Sequence, residues 1–590
     1  MEYLLQTGRV FELDLSGFSE YLFTIGILIA FIGVAFSAFM SKKHIAKMLR
    51  ESNIRKWHLI GAVVIAVIFL SAEIAIVKPT QLLFFDDAIY QAGALDMLRM
   101  GQAWMCNYGT PFTCYSGQIF HEPIGTSFTL ALGYLFFGVH IGVTYGTMLM
   151  VTFIAVVISF FVAAVLLEDP IAGLFSELIL GLSPIVLVWA MPTTSDMPML
   201  LYSLVAVFFL LLFIRQKDRY TLLGLLLSIS LVTYMKVDAL LYLPVLLLMF
   251  IVLDKGGVKK NLRLLRKNWL ETAFLAALLI FVVSIMPEAV YTYNQYTTGN
   301  YGANMGGAPS YRCFLMPNAP STPETLGFSN FLVNFCSNVQ FWFNDYKSSY
   351  VMQPFLYTCM AIIGAITLAF RKPRVIAALL IWFFAFFVVY TSFYAGSVLF
   401  GVDWRFMLAL IAPVSIAAGY FASLSFAKES RTLKRISVSN RRLSLGIRFA
   451  VYAVILAAIF YPLYAMEPLL AIQPAAIPQA ANARYYESFV YNSISRVPAK
   501  CLIFSYDPTL MIINNRTSIQ LGDLYPDNYY NYTSRYSCLV VDIGYWCYTP
   551  NNYCGYIQSN FNLKSIINTT YQPLGNTFGF YKIIGLKNNS

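Results

Sequence analysis

Phe84-Phe85-Asp86-Asp87-Ala88-Ile89-Tyr90 sets two adjacent carboxylates where the chain leaves an early apolar run, and His121-Glu122-Pro123-Ile124-Gly125 stands ahead of another. Ionisable groups beside hydrocarbon are expensive to keep and are functional candidates by default. On both sides of this stretch, apolar segments long enough to cross a bilayer recur from Tyr21 to Met466. The chain has 590 residues, is 58% hydrophobic and carries only 12% charged residues, too little charge to coat a soluble body of that size. The composition indicates a polytopic α-helical membrane protein with about twelve transmembrane helices.

Span cores are expected at 21–40, 58–78, 141–166, 171–190, 197–214, 220–236, 238–253, 270–287, 353–370, 375–394, 406–427 and 447–466. The net charge of +11 would suit a nucleic-acid binder, but its placement argues for no nucleic-acid partner. Basic residues sit in short connectors, at Lys42 to Lys56, Arg215 to Arg219, Lys255 to Lys267, Arg371 to Arg374 and Lys428 to Arg448. That is the positive-inside pattern. Placing every such connector in the cytoplasm puts Asp86 and Asp87 on the outer face, with loops 79–140, 191–196, 288–352 and 395–405 and the tail from Glu467. The run Ile124 to Val139 then reads as a surface-lying amphipathic helix, because a span there would invert every later basic connector. The first apolar run lacks a basic region and a cleavage site and reads as a retained span.

The cysteines obey the same division. Of nine, Cys106, Cys114, Cys313, Cys336, Cys501, Cys538, Cys547 and Cys554 fall in outer segments, and Cys359 lies in a span. This suggests disulfides in an oxidising compartment. Cys106–Cys114 and Cys313–Cys336 are expected by proximity, and the four tail cysteines allow three connectivities. Four Asn-x-Ser/Thr triplets, at Asn515, Asn531, Asn568 and Asn588, also lie in the tail. From about Tyr485, apolar runs at Cys501-Leu502-Ile503-Phe504, Cys538-Leu539-Val540-Val541 and Phe580-Tyr581-Lys582-Ile583-Ile584 alternate with turn-forming residues, and Glu487 to Ser495 suits a helix. The expected organisation is an N-terminal span and basic connector (1–57), a membrane catalytic module (58–466) and a small extracytoplasmic α/β domain (467–590).

Several residues at the expected outer face carry chemistry. Asp86 and Asp87 suit a general base and also a helix N-cap, and the two roles are compatible. His121 and Glu122 offer ligands for a divalent metal ion, or a capping acid beside an interfacial histidine. Asp196, in Thr194-Ser195-Asp196-Met197-Pro198, is a helix-start acid able to orient a substrate hydroxyl or Lys236. Lys236 and Asp238 interrupt two apolar runs at the interface, where a cation either serves a function or snorkels. Arg405, after Asp403-Trp404, suits a phosphate, which a guanidinium grips with parallel hydrogen bonds, or else a pair with Asp403 or a lipid headgroup contact.

In order and spacing these segments resemble the GT-C superfamily of membrane glycosyltransferases, and most of all its branch of dolichyl-phosphate-mannose protein mannosyltransferases and aminoarabinose transferases. Phe85-Asp86-Asp87-Ala88-Ile89-Tyr90 is similar to that branch's Asp-Glu-Ala-x-Tyr. His121-Glu122-Pro123-Ile124-Gly125 is similar to its His-Pro-Pro-Leu-Gly segment, and Ala131-Leu132-Gly133 and Phe137-Gly138-Val139 are similar to the family's later Ala-Leu-Gly and Phe-Gly-Val. Lys236 before Leu243-Pro244 and Trp404-Arg405-Phe406 before Ala412-Pro413 extend the likeness from about Ile60 to Ala427. The resemblance implies inverting sugar transfer from a polyprenyl-phosphate donor to a protein, lipid or glycan acceptor at the outer face. It implies Asp86 as the catalytic acid position, with Asp87 where the family has Glu, and Tyr90 and Asp196 orienting substrate. Glu122 stands where aminoarabinose transferases place a phosphate-contacting Lys, which leaves the phosphate to Lys236 and Arg405 or calls for a metal. The Trp-Trp-Asp-Tyr-Gly motif of oligosaccharyltransferases is missing. The alternative from another class is a transporter or lipid flippase, which would place its ionisable groups near the bilayer midplane.

Overall fold

The computed structural model describes residues 10–77, 79, 84–101, 104–105, 115–116, 123–254, 335, 355–392, 403–424, 453–461, 479–544, 547, 553–572 and 575–587. Its first helices are α1 (Val10–Met40), α2 (Lys42–Glu51), α3 (Lys56–Ile76) and α4 (Phe84–Met100), and after them a two-residue hairpin pair, β1 (Trp104–Met105) and β2 (Tyr115–Ser116). Then come α5 (Ile124–Phe137), α6 (Ile141–Leu167), α7 (Pro170–Gly181), α8 (Pro184–Trp189), α9 (Asp196–Gln216), α10 (Arg219–Met235) and α11 (Tyr242–Leu253). After a stretch outside the described residues the bundle resumes with α12 (Phe355–Arg371), α13 (Pro373–Ser392) and α14 (Leu408–Leu424).

Among the described residues, six segments have the length and apolarity to cross a membrane: Phe23–Met40, Lys56–Ile76, Ile141–Leu167, Asp196–Gln216, Pro373–Tyr390 and Arg405–Leu424. Five shorter apolar helices accompany them. Helices occupy the described parts of the expected spans, and 270–287 lies outside the described residues. Arg405–Leu424 is 89% buried by protein and Lys56–Ile76 only 22%, so α14 is central while α3 turns Ile60, Val63 and Ile74 outward toward lipid. The chain is thus a multi-pass membrane protein.

Two expectations change in detail. The span at 171–190 is two helices, α7 and α8, because Pro184 has no N–H to continue α7 and starts a new helix after Ser183. The helix after Pro123 forms, but its packing is not that of a surface-lying amphipathic helix. Its residues from Ile124 to Ala131 are all buried by protein, and only Leu135, Phe136 and Phe137 at its end are exposed. Its apolar residues run all round the helix, so neighbours on every side cover it.

Close helix contacts depend on small residues. A Cβ on Gly419 of α14 would meet Ser176 and lie 2.8 Å from the Ala172 carbonyl of α7, and one on Gly364 of α12 would meet the Ala417 carbonyl. At one end of the bundle, cations meet helix carboxyl termini. Arg215 donates to the Val165 carbonyl at 2.8 Å and to Ser52 Oγ at 3.0 Å, and Lys372 donates to the Leu167 carbonyl. Asp196 and Arg215 belong to the first and last turns of one 21-residue helix. At ~1.5 Å per residue they are roughly 30 Å apart, the thickness of a bilayer core.

The tail contains α15 (Gln479–Ser493), β3 (Cys501–Ser505), α16 (Pro508–Ile513), β4 (Thr517–Gln520), α17 (Pro526–Thr533), β5 (Cys538–Ile543), α18 (Tyr553–Asn560), β6 (Phe561–Tyr571) and β7 (Asn576–Leu586). Its sheet has the order β4-β3-β5-β7-β6. The first three strands are parallel, with Leu502 opposite Thr517 and Leu539, and β7 runs antiparallel to β5 and β6. Disulfides Cys501–Cys538 and Cys547–Cys554 select one of the three connectivities. Cys106, Cys114, Cys313 and Cys336 lie outside the described residues. The tail is seated on the bundle: Thr509 Oγ1 donates to the Ala88 carbonyl at 2.9 Å, α16 packs on α4, and Ile513 joins the bundle's apolar core.

Inside the tail, Asp542 accepts hydrogen bonds from Tyr486 and from Ser505 Oγ (2.7 Å), and Asp507 caps α16 through Leu510 N at 3.1 Å. Burial pushes both carboxyls up to about 7. Unfolding returns each to the ordinary range near ~4. Between those values the folded state binds more protons than the unfolded one, so the stability supplied by these groups is full below pH ~4 and falls as the pH rises to ~7. In Asp542→Asn this part of the dependence flattens; thermal unfolding of the purified chain across the window, monitored by circular dichroism, checks it. Gly419→Leu overpacks the α7–α14 contact and is expected to cost about 1–3 kcal/mol, seen as a lower melting temperature in detergent.

Candidate active site

At the end of the bundle opposite Arg215, α9 begins with Asp196, whose side chain is fully buried. Charge of that sign at a helix start is favoured by the helix dipole. Its neighbour α10 stops at Met235, and Lys236 adopts an extended backbone before a 3-10 turn at Val237–Leu241. The break frees the lysine to reach across: Lys236 Nζ donates to Asp196 Oδ1 at 2.8 Å. Arg405, in a second 3-10 turn at Asp403–Met407 leading into α14, places Nε 3.7 Å from Asp196 Oδ2. One carboxylate is thus flanked by two cations from separate parts of the chain. Lys236 and Arg405 keep 14% and 13% of their side chains exposed, so their charges are accessible from the site while Asp196 is not.

Aromatic rings hold the cations. Lys236 Nζ lies 3.9 Å from the Phe406 ring centre and 5.7 Å from that of Tyr390, and the Arg405 guanidinium lies 5.2 Å from Phe406. Ring quadrupoles attract cations at such distances. Phe406 adjoins Arg405 in sequence, but nothing in that position showed that it would face Lys236.

Asp87 enters from α4. Its carboxylate is fully buried, and Oδ1 accepts from the Thr193 backbone N–H at 2.5 Å. Asp87 therefore pins the buried segment Thr193-Thr194-Ser195 that leads directly into Asp196. The hydroxyls of Thr193 and Thr194 are buried without a hydrogen-bond partner among the described residues. Neither threonine stands out in the sequence as a contributor. Tyr90, one turn beyond Asp86, is buried in the bundle's apolar core. Asp86 lies in the first turn of α4.

Gly125 has a geometric task. A Cβ there would lie 2.6 Å from the Tyr234 carbonyl and 2.6 Å from the Met235 thioether. The first turn of α5 thus sits against the last turn of α10, just before Lys236, at a distance only glycine allows. That explains the glycine of the His121-Glu122-Pro123-Ile124-Gly125 segment.

The structure brings together Asp87, Asp196, Lys236 and Arg405. His121 and Glu122 lie outside the described residues. Among the described residues there is no group of three His, Cys, Asp or Glu side chains suited to a metal ion. Asp196 is committed to two cations and Asp87 to a backbone amide, which leaves both poorly disposed toward a metal.

The family model of dolichyl-phosphate-mannose-protein mannosyltransferases matches residues 121–286. No curated protein matches the chain in sequence. Among solved structures, the apo oligosaccharyltransferase of Archaeoglobus fulgidus is 13% identical over 90% of this chain and 75% of its own, with a TM-score of 0.51. The archaeal oligosaccharyltransferase AglB from Archaeoglobus fulgidus, in complex with an inhibitory peptide and a dolichol-phosphate, is 12% identical over 91% and 74%, with a TM-score of 0.51. ArnT from Cupriavidus metallidurans bound to undecaprenyl phosphate is 14% identical over 88% and 97%, with a TM-score of 0.52. The chain is thus similar to that mannosyltransferase family over residues 121–286 and shares the fold of these solved structures over most of its length.

Proposed function

We propose that the protein transfers a sugar from a polyprenyl-phosphate donor to a hydroxyl or amine acceptor at the extracytoplasmic membrane face, with inversion. The observation that carries this reading is the Asp196 carboxylate flanked by Lys236 and Arg405. A phosphodiester donor carries one negative charge, which suits a site that presents two oriented cations. When the bond between the anomeric carbon and phosphate oxygen breaks, the departing polyprenyl phosphate gains charge. Cations already oriented by Asp196 and the aromatic rings stabilise that charge without reorganising. Two of the similar structures contain a polyprenyl phosphate, which agrees with such a donor.

The acceptor attacks the anomeric carbon from the opposite side, forming the new bond as the phosphate leaves, and its proton passes to a carboxylate. Asp86 fills that role in this reading, by its match to the family's acidic motif. Asp87 acts as a positioning residue by fixing Thr193, whose unpartnered hydroxyl, with that of Thr194, is available to the donor. The extracytoplasmic placement is supported by the opposition of this end to the basic connectors around Arg215 and Lys372.

With purified protein, donor and acceptor, Asp86→Asn is expected to lower the transfer rate by about 10²–10⁴-fold. Full activity in that variant would refute the assigned base. Lys236→Met and Arg405→Gln are each expected to lower turnover on the order of 10²-fold or more, measured as kcat on the same donor. Gly125→Val is expected to lower turnover through displacement of Lys236, with the protein still monodisperse on gel filtration.

A further inference from the structure

The parallel strands stand in the order β4-β3-β5, so the chain leaves β3 to one side while β5 lies on the other. The crevice at the carboxyl ends of two such strands is where open α/β sheets bind ligands. Here those ends carry Ser505, Asp507 and Asp542. The same edge is turned toward the bundle, since Thr509 bonds the carbonyl of Ala88, the residue after Asp87.

Side chains from both parts of the molecule gather at this edge. The Tyr145 hydroxyl of α6 lies within electrostatic reach of Asp87, Glu487, Tyr491 and Asp507. Arg484 of α15 lies within reach of Glu487, Tyr145 and Tyr571. Several of their polar atoms are buried without a hydrogen-bond partner among the described residues: the hydroxyl of Tyr145, Asp507 Oδ2, Asp542 Oδ1, and Nε and Nη2 of Arg484, while the Tyr491 hydroxyl meets Asn514. Asp507 is 1% exposed and Asp542 0%. Buried polar atoms in native proteins are nearly always satisfied, and so many unmet ones at a switch-point crevice call for a ligand that supplies the missing bonds.

Their chemistry selects its class. Tyrosine hydroxyls donate and accept, guanidinium N–H groups donate, and carboxyls raised toward neutrality do both. An anion would face Asp87, Glu487, Asp507 and Asp542, and the Glu487 charge is already opposed by Arg484. Beside Arg484, the rings of Tyr485 and Tyr571 lie 4.9 Å apart, and Tyr485 is 36% exposed, a flat apolar surface next to the polar crevice. We propose that this crevice, between the carboxyl ends of β3 and β5 and the start of α6, binds a neutral hydroxyl-rich acceptor, a glycan, through Asp507, Tyr491 and Tyr145. Its role as acceptor rests on the sugar transfer proposed above; the binding itself does not.

The test uses the full chain in lipid nanodiscs with no donor present. The probes are neutral oligosaccharides of mannose, glucose and galactose and, separately, a serine- and threonine-containing peptide, read by saturation-transfer NMR and calorimetry. One of the oligosaccharides is expected to bind. Asp507→Asn, which retains a capping side chain, and Tyr491→Phe are expected each to weaken it about tenfold. Tyr530→Phe, on the exposed face of α17, is expected to leave it unchanged. Undecaprenyl-phosphate binding, read by native mass spectrometry, is expected to be the same in all of them. No oligosaccharide binding by folded protein, binding of the peptide alone, or undiminished affinity in both crevice variants would overturn the proposal. Oligosaccharide binding that is weakened by both variants, in a protein that transfers no sugar, would uphold the crevice and refute the transfer reading instead.

Discussion

A carboxylate fully withdrawn from solvent, as Asp196 is, demands compensation, and the position of every element near the site depends on how it is met. Lys236 meets it from a break between α10 and the Val237–Leu241 turn, and Arg405 from the turn that opens α14. Both helix ends are thereby tied to the start of α9. Both positive charges are fixed in place before any ligand arrives, which is the condition under which electrostatic stabilisation is most effective.

The bundle has two chemically different ends. Around Arg215 and Lys372, cations are consumed by helix carboxyl-terminal carbonyls and by Ser52 and Glu168. Around Lys236 and Arg405, the same residue types rest on aromatic rings and share the Asp196 carboxylate. Identical side chains thus meet carbonyls at one end and a carboxylate with aromatic rings at the other. The difference lies in what each finds within about 4 Å, not in how basic the connector is.

The tail adds a third component at the second end. Its contact through Thr509 reaches the backbone of α4 next to Asp87, and Asp87 holds the segment that leads into Asp196. A chain of short contacts therefore runs from the parallel strands of the tail to the paired charges of the bundle. It joins residues more than four hundred positions apart in sequence.

Apolar runs and their basic connectors made the spans legible without coordinates, because hydrophobicity and the positive-inside bias act locally along the chain. Asp87, Asp196, Lys236 and Arg405 were legible one at a time for the same reason: a charge beside hydrocarbon stands out in any single segment. The strand runs and turn residues of the tail were equally visible, as was its cysteine count, although the pairing Cys501–Cys538 was not. Packing decided the rest. The meeting of Lys236, Arg405 and Asp196, the rings of Phe406 and Tyr390 beneath them, the covering of α5, the contact that only Gly125 permits, and the crevice between β3 and β5 each need two or more segments at a fixed distance. Local pattern specifies which elements form and which residues are costly to place, whereas the partners that offset those costs come from distant parts of the chain and are set only when the helices and the sheet close on one another.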